Sequence, residues 1–262
     1  MSVIFVERDR VHYEVLGHGR AVIFLHGWVG SWRYWIPAMQ ATSPQFRTYA
    51  IDLWGFGDSA KVSEHYSINH QVALLNFFLR TMGIERVALV GHGLGAVVAL
   101  LFASWFPEQV DRLLAVGLPV DKCILNSRIE IEEPQVLAEW LLAHNQMAEA
   151  AQIETLKTDR HALLTSVANL RTIDIDGMIA RYNHPCLLVH SQDDPLVTPP
   201  GRDWVANLPY MVHDLIFEQS GHYPMLKENA VFNRLLADFL ALFPGQTPRD
   251  LQLKEEWKRR VR

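Results

Sequence analysis

Leu89-Val90-Gly91-His92-Gly93-Leu94-Gly95-Ala96 is the stretch that decides the fold. Val87 to Val90 is a short apolar run that reads as a strand. Leu94 to Phe106 is apolar almost throughout and reads as a helix, ended by Pro107. Between them lies a sharp turn with small residues on both sides, where Gly91 and Gly95 let strand and helix approach closely. Glycine-rich turns of this kind also cradle phosphates. This one lacks the lysine and the serine or threonine of a P-loop, and its spacing is not G-x-G-x-x-G.

Outward from the turn, strands alternate with helices. Ala21 to Leu25 is an apolar run ending in His26-Gly27, as expected of a strand buried on both faces. Arg47 to Ile51 follows, ending at Asp52 and the turn Gly55-Phe56-Gly57. Ile68 to Met82 carries Val72, Leu74, Leu75, Phe77, Phe78 and Leu79 and predicts a largely buried helix, stopped by Gly83. Leu113 to Val116 is strand-like again. This alternation predicts an α/β fold with a mainly parallel central sheet and helices on both faces. The rhythm breaks after Pro119. From Val120 to about Arg181 the patterns are helical, one opening at Pro134 and one after Asp159. Strands resume at Cys186 to Val189 and Asp214 to Phe217, and Phe232 to Phe243 reads as a closing helix. The expected division is a core of residues 1–119 and 185–247, a helical lid over 120–184 and a basic tail, 248–262.

Bulk properties narrow the function classes. A chain of 262 residues suits one large domain or a domain with an inserted subdomain. A hydrophobic share of 49% with 20% charged residues excludes a disordered or collagen-like chain. The net charge of -5 argues against a nucleic-acid partner, which needs a clustered basic face. Cys123 and Cys186 cannot build a disulfide framework and fit no metal spacing. Cys186, inside an apolar run, reads as a small buried hydrophobe. Met1 to Glu7 lacks the basic flank and apolar stretch of a signal peptide, and no segment approaches the roughly 18 apolar residues of a membrane span. A cytoplasmic protein with a small-molecule ligand is the expectation. The tail's Arg249, Lys254, Lys258, Arg259, Arg260 and Arg262 read as a solvated terminal helix, with a membrane or partner contact as the alternative.

Five segments in order give the chain a resemblance to the α/β-hydrolase fold superfamily, from about residue 10 to 243. Gly91 to Gly95 resembles the nucleophile elbow G-x-S-x-G, with Gly93 where that family places its serine. His26-Gly27-Trp28 resembles the H-G-x turn that supplies an oxyanion-hole amide. Asp52 to Ser59 resembles the D-x-x-G-x-G-x-S segment. Asp193-Asp194-Pro195 resembles the acid loop, and Ser220-Gly221-His222-Tyr223-Pro224 the histidine loop. The resemblance implies that His222 is the base and that Asp194, preferred over its neighbour Asp193, is the acid orienting it. It further implies that the amides of Trp28 and Leu94 form an oxyanion hole. His26, Gly27, His92 and Tyr223 are the expected substrate-contacting residues, and no cofactor is implied. Asp52 and Ser59 are expected to fix a turn. A metal held by His26, His92 and His222 has no supporting carboxylate-histidine spacing. Trp28, Trp32, Tyr34 and Trp35 read equally as pocket mouth or as core.

Gly93 has no side chain to attack a carbonyl. Removing the nucleophile of a comparable triad costs roughly a millionfold in turnover, while oxyanion hole and binding alone leave about 10³–10⁴ over water. Three readings follow. One is a small-molecule, ester-type hydrolase silenced at residue 93, by drift or deliberate replacement. Another is a non-catalytic small-molecule-binding or receptor-like protein. The third is a nucleophile-free lyase or cofactor-independent oxygenase that uses His222 as its base.

Overall fold

The computed structural model describes residues 2–120, 125–142 and 146–251. Eight strands form one sheet: β1 (Ser2–Val6), β2 (Asp9–Leu16), β3 (Arg20–Leu25), β4 (Phe46–Ile51), β5 (Val87–His92), β6 (Val110–Val116), β7 (Cys186–Ser191) and β8 (Val212–Phe217). Their order across the sheet is β1-β2-β4-β3-β5-β6-β7-β8. β2 runs antiparallel to β1 and β4, and every other pair is parallel. The central strands β5 and β7 are buried at every position, which is why they read as unbroken apolar runs. Cys186 is fully buried within β7.

The elbow joins β5 to α3 (Leu94–Trp105), whose first ten residues are all buried. A helix apolar on all sides has to lie inside the fold, and glycine on both flanks of the turn lets it begin there. A Cβ on Gly91 would stand 2.6 Å from Ala96 Cα, and one on Gly95 would stand 2.7 Å from the His26 carbonyl. α2 (Ile68–Thr81) is capped by Ser67 and buries Ile68, Val72, Leu75 and Leu79 on one face. α1 (Ile36–Thr42) packs with the closing helix α11 (Asn229–Leu240), through which Phe232 reaches Trp35.

The strands β1 and β2 are an addition to the sequence-based reading. β1 is an edge strand with only Ile4 buried while Val3 and Phe5 face solvent, and β2 mixes Asp9, Arg10, His12 and Glu14 with apolar residues. Neither offers a continuous run, so only pairing reveals them.

Between β6 and β7 the described residues are helical: α4 (Arg128–Ile131), α5 (Pro134–Leu141), α6 (Gln146–Thr155), α7 (Arg160–Leu170) and α8 (Ile175–Ala180). An isolated bridge pairs Leu125 with Val197. Polar contacts fasten this segment to the loops after β3 and β4. Tyr66 Oη donates to Asp159 (2.5 Å), the Asp159 amide to the Gly55 carbonyl (2.8 Å) and the Ile68 amide to Asn169 (3.2 Å). Glu154, 3% exposed, accepts from Ser31 Oγ (3.2 Å), Arg33 Nε (2.8 Å) and Lys157 Nζ (3.0 Å). Lys157 also pairs with Asp58 at 3.0 Å.

α9 (Arg202–Ala206) lies between β7 and β8, and α10 (Pro224–Lys227) follows the histidine loop. The tail's first residues are packed rather than separate from the body. Thr247 is fully buried and caps a short turn over Pro248–Asp250, and Arg249 donates to the Leu208 carbonyl (3.3 Å). Residues 252–262 lie outside the described residues, as does Cys123. No helix among the described residues is long and apolar enough to cross a membrane.

Candidate active site

Gly93 sits at φ 49 and ψ -112, a backbone region that side-chain-bearing residues rarely occupy. The turn therefore keeps the sharp geometry of an elbow although glycine would have let it relax. Its amide donates to the Val116 carbonyl (2.9 Å) and the Gly95 amide to the His26 carbonyl (3.0 Å), so neighbouring strand ends fix it from two sides. A Cβ built on Gly93 would point at the Trp28 ring (3.1 Å) and Gly27 Cα (3.5 Å). The His26-Gly27-Trp28 turn thus faces the place where a nucleophile would stand.

Asp194 and His222 come together from the loops after β7 and β8. His222 Nδ1 donates to Asp194 at 2.8 Å and 3.1 Å, with both side chains at most 3% exposed. The Leu196 and Val197 amides also donate to Asp194 Oδ1, at 2.8 Å and 3.1 Å. Burial by itself would raise the Asp194 carboxyl. The His222 imidazole and the two amides outweigh burial and hold it below the usual carboxylate range. With the Nδ1 proton directed at Asp194, the base lone pair of His222 belongs to Nε2.

Asp193, the rival acid, has other partners. It accepts from Ser191 Oγ (2.7 Å) and the Gly221 amide (2.7 Å), bracing the histidine loop from outside, and stands 3.4 Å from Lys227.

The residues expected to touch a substrate are engaged internally. His26 Nδ1 donates to the Gly27 carbonyl (2.8 Å), and its Nε2 accepts from the Leu53 amide (3.0 Å). Burial lowers its pKa and keeps it neutral, as that pattern requires. His92 Nε2 donates to the His222 carbonyl (3.0 Å), and its Nδ1 meets Tyr34 Oη (3.0 Å). Burial first, then the neighbouring His222, push the His92 pKa well below its usual value. Tyr223 Oη donates to the Val29 carbonyl at 2.6 Å. A ligand contact by these residues would therefore run through backbone or ring faces, not free polar ends. Of the three histidines weighed as metal ligands, His26 and His92 have both ring nitrogens engaged, while His222 is engaged through Nδ1.

Trp28 follows the Gly27 turn and Leu94 follows Gly93, so both residues belong to the segments that meet at the elbow. Leu94 is the first residue of α3, where amides lack intrahelical acceptors. Both residues are 0% exposed, and neither amide donates to an acceptor among the described residues. A buried amide without an acceptor is unfavourable by about 1–3 kcal/mol, so the pair is suited to an oxygen carrying developing negative charge.

Among the aromatics, Trp35 is core, touching Phe24 and Phe232, while Trp28 donates from Nε1 to Ser166 Oγ (3.0 Å). Tyr34 was not separable from its neighbours in sequence, because a lone hydroxyl in an aromatic run has no spacing signal. Asp52 fixes its turn as expected, accepting from the Trp32 and Asp58 amides (2.9 Å each), while Ser59 Oγ donates to its carbonyl (2.6 Å). His12, Asp52 and Asp58 could together offer ligand atoms to a metal. Their atoms already bond one another, the turn amides and Lys157, a complete network for a structural turn.

Comparison with known proteins agrees with this architecture. A profile of the family described as alpha/beta hydrolase fold matches residues 20–146. The chain is 28% identical over 253 residues to 2-hydroxy-6-oxo-2,4-heptadienoate hydrolase of Pseudomonas putida, covering 86% of this chain and 91% of that one. Its fold is similar to a hydrolase from Pseudomonas aeruginosa PA01, with TM-score 0.81, 18% identity and coverage of 92% and 98%. It is also similar to a serine-to-glycine mutant of the N-acyl homoserine lactonase AidH complexed with N-hexanoyl homoserine lactone. There the TM-score is 0.79, identity 19% and coverage 91% and 96%. The sheet order agrees with this likeness, and the chain has the α/β-hydrolase fold.

Proposed function

We propose that this protein descends from small-molecule, ester-type serine hydrolases and is silent as a hydrolase because residue 93 is glycine. The observation that carries the reading is the elbow's backbone, still at φ 49 and ψ -112 with no nucleophile to present. The intact Asp194–His222 pair, 2.8 Å apart, supports it. In this reading His222 Nε2 is the base, Asp194 holds its tautomer and stabilises the imidazolium, and the Trp28 and Leu94 amides receive the carbonyl oxygen. The helices α4 to α8 act as a lid that shapes the acyl pocket. Only the attacking hydroxyl is wanting.

The test is Gly93→Ser with hydrolysis of chromogenic acyl esters of several lengths, alongside Gly93→Ser/His222→Ala. The expected result is a burst and His222-dependent turnover in the serine form alone. A folded serine form inactive across all acyl lengths overturns the reading.

One observation favours a second reading, a ligand-binding protein without turnover. The Trp28 ring stands 3.1 Å from the position of a residue-93 Cβ, so aromatic packing closes on the nucleophile's place. The serine-to-glycine lactonase that the chain resembles in fold is complexed with N-hexanoyl homoserine lactone. Inactivity of Gly93→Ser together with tight binding of small acyl compounds to both forms is the result expected of that reading. Turnover by the glycine form that depends on His222 would instead indicate a nucleophile-free enzyme.

A further inference from the structure

We infer that Tyr34 and Tyr223 form a clamp that sets the orientation of the Trp28 amide, making them positioning residues of the oxyanion turn. This rests on the oxyanion role given to Trp28 above. The turn is three residues long, Gly27-Trp28-Val29, and each end is held by a phenol. The Gly27 amide donates to Tyr34 Oη at 2.5 Å, and Tyr223 Oη donates to the Val29 carbonyl at 2.6 Å. The two rings meet edge to face with centroids 5.5 Å apart, so the jaws brace each other. Trp28 lies between the held ends, and its amide donates to no acceptor among the described residues.

The direction of every bond follows from chemistry. The His222 carbonyl can only accept, so the His92 Nε2 that meets it at 3.0 Å carries a proton. Burial keeps His92 neutral, which leaves a lone pair on Nδ1. Tyr34 Oη must then donate to that nitrogen across 3.0 Å, and its oxygen is left to accept from Gly27. The chain of bonds therefore runs from oxyanion turn through elbow to histidine loop with a single allowed polarity. Tyr223 closes the circuit, since it follows His222 directly and grips the far end of the same turn. Base and amide are thus held in one frame, although Val29 and Tyr223 are 194 positions apart in the chain. Both phenols keep their protons at any ordinary pH, because burial raises their pKa.

The experiment compares two ligands on the unsubstituted chain, Tyr34→Phe and Tyr223→Phe by titration calorimetry. Methyl hexylphosphonate presents a tetrahedral anionic oxygen, and methyl heptanoate presents a planar, uncharged ester of the same length. The unsubstituted chain is expected to prefer the phosphonate. Each phenylalanine variant is expected to lose about tenfold in phosphonate affinity with less than about twofold change for the ester, because a misdirected donor matters most to full charge. An unchanged preference, or an equal loss for both ligands, overturns the clamp and leaves the tyrosines as packing. Absence of any phosphonate preference in the unsubstituted chain overturns the oxyanion reading itself, and the clamp with it. Tyr34→Phe strands a buried amide. Should that variant fail to fold, Tyr223→Phe, which leaves only a carbonyl short of one donor, decides alone.

Discussion

Trp28 Nε1 donates to Ser166 Oγ at 3.0 Å, and by this bond helix α7 reaches the residue packed beside Gly93. Ser166 Oγ in turn donates to the Leu163 carbonyl (2.8 Å), so the hydroxyl is fixed as an acceptor for the indole. Ser166→Ala strands a buried indole N–H and is expected to cost about 1–3 kcal/mol of stability. In the Gly93→Ser background the same change frees the ring to yield to the new Cβ. Gly93→Ser/Ser166→Ala is therefore expected to turn over esters faster than Gly93→Ser, as initial rates on one ester will show.

Gly93→Ala tests the elbow's geometry apart from any chemistry. A side chain at φ 49 is strained, and its Cβ would meet the Trp28 ring at 3.1 Å. The expected loss is about 1–3 kcal/mol in urea unfolding at an unchanged slope. A neutral result would mean that the turn relaxes when substituted.

Asp194 gives the acid limb of stability a specific contributor. Its folded pKa lies below the usual 3.8, so its stabilising contribution is complete above that pH and is lost as pH falls through the lower folded value. Asp194→Asn lacks this contribution at every pH. The stability gap between the two proteins is expected to narrow as pH falls below about 4. Denaturant melts above and below this pH provide the check, and a gap that widens toward acid would contradict the assignment.

Glu154→Ala should loosen the attachment of the helical segment. The carboxylate is buried, but Arg33 and Lys157 are each 34% exposed and can return to water when it is removed. The expected cost is about 1–2 kcal/mol, below the 3–5 kcal/mol typical of breaking a fully buried pair. Faster proteolytic nicking between β6 and β7, with the core surviving, is the expected signature.

The parts of the molecule readable from sequence are those in which a single segment carries its own signal. The elbow announces itself by glycines flanking an apolar strand and an apolar helix, and the loops around Asp194 and His222 by short motifs in a fixed order. The remainder depends on partners distant in sequence. β1 and β2 exist through pairing rather than apolar runs. Glu154 reads as one acidic residue in a polar helix until Arg33 and Ser31 are brought against it. Tyr34 acquires its role only where Gly27 and His92 converge on its oxygen. For His26, His92 and Tyr223, sequence could not show that internal hydrogen bonds already engage their polar atoms.

The strand order also has a consequence for synthesis of the chain. β3, β4, β5 and β6 are neighbours drawn from the first half, whereas β7 and β8 add to one side of the sheet and bring the acid and histidine loops with them. A nascent chain that has emerged only through the helical segment carries the elbow without Asp194 and His222, and it leaves the apolar strand Val110–Val116 unpaired along one edge. Such an edge invites association with other chains. Chaperone demand should accordingly peak while residues up to about 185 are outside the ribosome and fall once Cys186–Ser191 has docked.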